Sequence, residues 1–125
     1  MRGTLSEQSL IYLQIAQMLE DDILRGVYQE EEQVPSTNEL ARAFHIYPAT
    51  AAMGINLLVG DGILYKRRGI GMFVSPGGVE KVKEKRRTAF LDGYVRPLVR
   101  EGRSLGLGEE ELAAMFRQAW KEETT

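Results

Sequence analysis

The sequence predicts a mainly α chain with one small β-hairpin, in which an N-terminal helical domain closed by the hairpin is followed by a C-terminal helical region. Three observations lead there. Apolar residues recur at helical spacing before residue 60 and after residue 78, two short β-prone runs lie between residues 63 and 74, and Gly and Pro cluster at the boundaries of these segments. At 125 residues and 43% hydrophobic content, the chain can bury a core as one domain with an appendage.

The elements follow in order. Ile11, Ile15, Leu19 and Ile23 recur every four residues, which predicts an amphipathic helix stopped near Gly26. In Pro35-Ser36-Thr37-Asn38-Glu39, Ser36 and Glu39 have capping-box spacing, so a second helix starts at Ser36 and carries Leu40, Ala41 and Phe44 inward. His45-Ile46-Tyr47-Pro48 interrupts it. Pro48 suits the first turn of a third helix, read from Pro48 to Val59, because its missing N–H has no intrahelical partner there.

After the break at Gly60-Asp61-Gly62, Ile63–Lys66 and Met72–Val74 read as strands joined by a basic, glycine-containing tip. Ser75-Pro76-Gly77-Gly78 reads as a linker. The predicted organisation is therefore a domain at 8–75, a linker at 76–78 and a helical region at 79–125. In that region a long helix spans Val79 to about Gly102, with a kink or break expected at Pro97, and a last helix runs from Glu109 to about Glu122.

Composition excludes several functions. There is no cysteine, so no disulfide, thiol nucleophile or thiolate metal site is available, and the single His45 cannot form a histidine cluster. It reads as a helix-end residue, and no metal or cofactor is expected. Carboxylates lie in acidic loops and helix starts without a nucleophile or phosphate loop to join them, so no enzyme is expected. The N-terminus, Met1–Ser9, lacks the character of a leader, and no run approaches the roughly 20 apolar residues of a membrane span. A cytoplasmic protein with no membrane partner is the expectation.

Net charge is −2, from 16 basic and 18 acidic residues, so any nucleic-acid contact must rest on local patches. Residues 1–74 carry 6 basic and 9 acidic side chains. Against that background Lys66, Arg67 and Arg68, next to Gly69-Ile70-Gly71, stand out as a cationic hairpin tip suited to phosphates or a minor groove. Lys81, Lys83, Lys85, Arg86 and Arg87 read as a solvated helix face.

Helix, helix, short turn, helix and hairpin is the order of a winged helix-turn-helix, whose helix after the turn enters the major groove. Val34-Pro35-Ser36, Glu39-Leu40-Ala41, Thr50, Leu58, Asp61-Gly62-Ile63-Leu64 and Gly69-Ile70-Gly71-Met72-Phe73-Val74 together resemble the DNA-binding domain of the GntR family of bacterial transcription regulators. Phe90–Leu98, Leu105-Gly106-Leu107 and the helix through Trp120 are similar to its YtrA subfamily. That resemblance implies a C-terminal helix pair used for dimerisation and control of a neighbouring ABC-transporter operon.

The residues then take roles as expectations. Ser36, Thr37 and Asn38 at a helix start hold a DNA phosphate, with simple capping as the alternative for Ser36. Tyr47, Ala49, Thr50 and Met53 meet base edges or backbone; the alternative for Tyr47 is packing on the preceding helix. Lys66, Arg67, Arg68, Gly69 and Gly71 form the contacting wing. Phe90, Tyr94, Leu98, Leu112, Phe116 and Trp120 exceed what two helices can bury alone, which predicts a homodimer interface. A small-molecule effector pocket is the other use of these aromatics.

The expected function is a repressor binding a palindromic operator in double-stranded DNA as a homodimer. The recognition helix reads Thr50-Ala51-Ala52-Met53-Gly54 and offers few donors to guanine edges. The competing reading is therefore a ligand-sensing or protein-interaction module that keeps the fold with weakened DNA binding.

Overall fold

A computed structural model describes residues 10–123. The expectation for Met1–Ser9 and the outermost residues of both predicted regions lie outside the described residues. The elements are α1 (Ile11–Leu24), α2 (Thr37–Phe44), α3 (Pro48–Gly60), β1 (Leu64–Arg67), β2 (Gly71–Val74), α4 (Gly78–Phe90), a π-helical turn (Leu91–Val95), α5 (Arg96–Ser104) and α6 (Glu109–Glu123). They divide into two compact units, up to Lys85 and from Arg86 onward.

In the first unit the four-residue spacing of α1 does what it predicts: Ile15, Leu19 and Ile23 are buried, with Ile11 packed against the same core. The helix closes with Gly26 at φ +81°, as the Gly26 N–H donates to the Ile23 carbonyl and the Val27 N–H to that of Asp22. This satisfies two carbonyls left without helical partners. The capping box forms at α2: the Ser36 hydroxyl accepts from the Glu39 N–H at 3.1 Å, and the Glu39 carboxylate accepts from the Ser36 N–H at 3.0 Å. His45 ends α2 in the left-handed region, and its turn leads to Pro48 in the first turn of α3.

Helix α3 packs on both α1 and α2 through Ala51, Ile55 and Leu58. Gly54 sets the α1–α3 approach, because a Cβ there would stand 2.8 Å from the Tyr12 carbonyl oxygen and 3.0 Å from Ile15 Cγ2. The antiparallel hairpin pairs Leu64 with Val74 and Arg67 with Gly71. Residues 31–34 lie along the outer edge of β2: the Glu31 N–H donates to the Val74 carbonyl, the Val34 N–H donates to that of Met72, and Gln33 bridges Phe73.

Three boundaries differ from the sequence reading. The strands sit one residue later at their start and one earlier at their return, because Ile63 is used instead to accept from the Ser75 N–H and to fill the core. Gly78, read as linker, is buried and begins α4, where a Cβ would stand 2.8 Å from the Ile63 carbonyl oxygen. The first unit continues to Lys85 because Val82 is fully buried in its core.

The long helix read from 79 to 102 is interrupted. At Pro97 an α-helix would force the ring against the carbonyl four residues earlier. The chain instead widens by one residue over Leu91–Val95, where the Arg96 N–H reaches back to the Leu91 carbonyl while φ and ψ stay helical on both sides. In the second unit Gly102 is buried against Leu112, which lets α5 approach α6.

Candidate nucleic-acid interface

The residues expected to contact DNA lie in the first unit, on α2, α3 and the hairpin. At the start of α2, Asn38 is exposed and Thr37 half-buried, while the Ser36 hydroxyl is committed to the cap. Hydrogen bonding to the Glu39 carboxylate from the Ser36 N–H, and then from the Ser36 side chain, holds it below the usual range. Tyr47 caps α3 without a side-chain hydrogen bond and is 81% exposed, so it does not pack on α2. Ala49 and Met53 are exposed and Thr50 is half-buried. Helix α3 therefore divides into a buried side that packs on α1 and α2 and a presented side with one phenol, one hydroxyl, a thioether and the exposed Asn56 amide.

The hairpin is less uniform than three consecutive cations imply. Lys66 and Arg68 are exposed. Arg67 is exposed as well, but it folds over the strand: its guanidinium lies 2.7 Å from the Glu31 carboxylate and 2.7 Å from the Tyr65 hydroxyl. It is stacked 4.1 Å from the centroid of Phe73. The Tyr65 hydroxyl donates in turn to Glu31. Hydrogen bonding to Tyr65, then to Glu31, raises the Arg67 pKa above its ordinary value.

At the tip, Gly69 is exposed at φ +78°, a conformation that favours glycine. Gly71 makes room for the Gln33 amide, which would stand 2.5 Å from a Cβ there and donates to the Ile70 carbonyl. Glu31, Gln33 and Tyr65 thus shape the wing, and sequence reasoning missed all three. Their partners lie 34 to 37 residues away for Glu31 and Gln33, beyond any local pattern.

Lys85 is a second miss. Read as part of a solvated face, it bonds to the buried Glu20 at 2.6 Å and to Asp61 at 2.8 Å. Burial lowers its pKa, but the hydrogen bonds to Asp61 and Glu20 outweigh this and the net shift is upward.

In the second unit Phe90, Tyr94, Leu98, Phe116 and Trp120 are all more than half exposed, and Leu112 is half-buried. Phe90 stacks on Tyr94 and Phe116 on Trp120, with ring centroids 5.4 and 5.8 Å apart. Phe90, Tyr94, Leu98, Leu112 and Phe116 line an apolar cleft of about 750 Å³ that also touches Arg103 and Glu109. Among the described residues no group of His, Cys, Asp or Glu is placed to hold a metal, and no helix is long and apolar enough to cross a membrane.

The profile of the family described as "Bacterial regulatory proteins, gntR family" matches residues 11–74, the whole of α1 through β2. The chain belongs to the GntR family. A crystal structure assigned to GntR-family transcriptional regulators from Bacteroides thetaiotaomicron superposes with a TM-score of 0.78 at 33% identity, covering 90% of this chain and 98% of that one. The winged helix-turn-helix architecture expected from element order is thereby that of solved GntR structures.

An Escherichia coli K12 protein described as "Probable fructoselysine utilization operon transcriptional repressor" is 41% identical over 71 residues, which are 57% of this chain and 29% of that repressor's length. The chain thus spans less than a third of this relative. An HTH-type regulator of Bacillus subtilis 168, YhcF, is 30% identical over 82% of this chain and 83% of its own. The subfamily resemblance is weaker: the YtrA repressor of the same organism is 27% identical over 67% of this chain, below other GntR members. These relatives are transcription regulators, not enzymes.

Proposed function

We propose that this GntR-family chain is a sequence-specific transcription repressor that binds an operator in double-stranded DNA. The observation that carries the reading is the presented side of α3, with Tyr47 81% exposed at its leading end, on the GntR fold. A solved relative supports it: the AraR DNA-binding domain in complex with an operator superposes with a TM-score of 0.52 at 33% identity, covering 60% of this chain and 92% of that one. In this reading Tyr47, Ala49, Thr50 and Met53 meet base edges, while Thr37 and Asn38 orient α2 on phosphates. Ser36 supports them through its cap, and Lys66, Arg68 and Gly69 bring the wing to the backbone.

The finer reading is a cytoplasmic homodimer on a near-palindromic operator, joined through Phe90, Tyr94, Leu98, Leu112, Phe116 and Trp120. What supports it is the exposure of large apolar side chains on one small unit. Likeness to YtrA, at 27% identity, extends the proposal to control of a neighbouring ABC-transporter operon.

Fluorescence anisotropy on the chain's own upstream DNA tests the core of this. Tight binding there over a scrambled duplex is expected, and equal affinity for both would overturn it. The second reading, a ligand-sensing module with faded DNA binding, draws on the cleft of about 750 Å³ and on a recognition helix without cations. It predicts that an apolar effector binds the chain whether or not any DNA does.

A further inference from the structure

Three wing cations in a row look like three phosphate contacts, yet the structure treats one of them differently. Arg67 shares its face of the hairpin with Tyr65 and Phe73, which pair across the strands. Phe73 is buried outside the main core cluster, and the Arg67 guanidinium lies over its ring. Above this pair stands Glu31, whose backbone is held against the edge of β2. Its N–H is bonded to the Val74 carbonyl at 2.8 Å, the Val74 N–H is bonded to the Glu32 carbonyl, and Glu31 itself has φ +68°. A non-glycine residue adopts that conformation rarely, so the surrounding structure imposes it.

The consequence is a carboxylate presented to the wing by a strand edge. An exposed ion pair alone holds weakly. Here a planar guanidinium meets a carboxylate, a phenol hydroxyl and an aromatic face at once, a combination a lysine ammonium could not satisfy. The charge of Arg67 is balanced within the wing before any nucleic acid arrives.

We propose that Glu31 tunes the electrostatic hold of the wing: by neutralising Arg67 against the hairpin, it limits the sequence-independent attraction of this DNA-binding unit to phosphates and leaves Lys66 and Arg68 as the working wing cations. The advantage is arithmetic. Each additional phosphate contact strengthens binding to all sequences alike, so withholding one loosens the hold on the great excess of non-operator DNA. The proposal rests on the DNA-binding reading above.

The test is the salt dependence of binding by the full chain to its own upstream duplex and to a scrambled duplex, measured by anisotropy over a NaCl series. Freed from its carboxylate, Arg67 in Glu31→Gln should add one phosphate contact, steepening log K against log[NaCl] by about 0.9 on both duplexes and leaving the ratio between them unchanged. The double variant Glu31→Gln/Arg67→Gln should return to the parent slope, and Arg67→Gln alone should leave that slope unchanged. Glu31→Asn repeats the first arm with a residue that tolerates positive φ. A parent slope in Glu31→Gln and Glu31→Asn, or a slope flatter by about 0.9 in Arg67→Gln alone, overturns the proposal. A parent chain with no salt-dependent binding to either duplex overturns the DNA-binding reading, and the proposal with it.

Discussion

The Lys85 ammonium lies 2.6 Å from the carboxylate of Glu20, a residue 65 positions earlier in the chain and 2% exposed. Asp61, which follows the last residue of α3, receives the same ammonium at 2.8 Å. One side chain of α4 thereby ties the middle of α1 to the end of the helix that presents Tyr47 and Thr50. The attraction is screened on the Lys85 side, whose side chain is 40% exposed, but Glu20 has little water to fall back on.

Replacing Lys85 by Met should therefore destabilise the first unit by about 2 kcal/mol, below the usual cost of breaking a fully buried pair because of that exposure. Because the Lys85 pKa is raised, its contribution is complete below the ordinary value of 10.5 and is lost as pH rises through the folded value. Tyr28, whose pKa is raised by burial first and then by Asp22 and Glu39, weakens the fold in the same alkaline range. Thermal melts from pH 8 upward should fall less steeply in Lys85→Met than in the parent, and equal slopes would show that the ion pair contributes nothing.

At the acid end the Glu39 cap governs. Its pKa is lowered, so its contribution is present above the ordinary value of 4.5 and is lost as pH falls through the folded value. A Glu39→Gln chain, still able to form a capping box, should lose that acid dependence. Ser36→Ala should cost about 1 kcal/mol at neutral pH. Chemical denaturation at pH 7 and pH 3 measures both effects.

Gly54→Ala should destabilise, although alanine is the better helix former. The added methyl would meet the Tyr12 carbonyl oxygen at 2.8 Å, a backbone atom that cannot turn aside. Forcing α1 and α3 apart should cost about 1–3 kcal/mol, more than the roughly 1 kcal/mol of helix propensity gained. A melting temperature equal to or above the parent's would show that the helices separate freely.

Thr50→Ala should alter base preference at defined operator positions, by about 1–3 kcal/mol each, while Tyr47→Phe tests whether the exposed hydroxyl is read. Binding titrations over single-base operator variants distinguish this from a uniform loss, which would make Thr50 a backbone contact.

Leu98→Asp and Trp120→Ala, placed on the exposed apolar surface of the second unit, should shift sedimentation velocity toward monomer at micromolar concentration and weaken operator binding. A parent chain already monomeric there would remove the dimer proposal.

Residues close in sequence were legible from the sequence. The four-residue spacing of Ile11, Ile15, Leu19 and Ile23, the Ser36–Glu39 cap and Pro48 at a helix start each express a local rule, and each appears as expected. Pro97 announced an interruption, but only the folded chain shows it resolved as a π-helical turn with continuous helical dihedrals. The sequence by itself determined the order of helices and hairpin, and with it the family. Tertiary structure decided which charges are available: Lys66, Arg67 and Arg68 are consecutive cations in the sequence, yet of the three it is Arg67 that bonds to Glu31, and Lys85 bonds to Glu20, 65 positions away. Helix and turn signals arise from contacts within a few residues, whereas the partner of a charged side chain is chosen by which distant backbone the packed core carries to it.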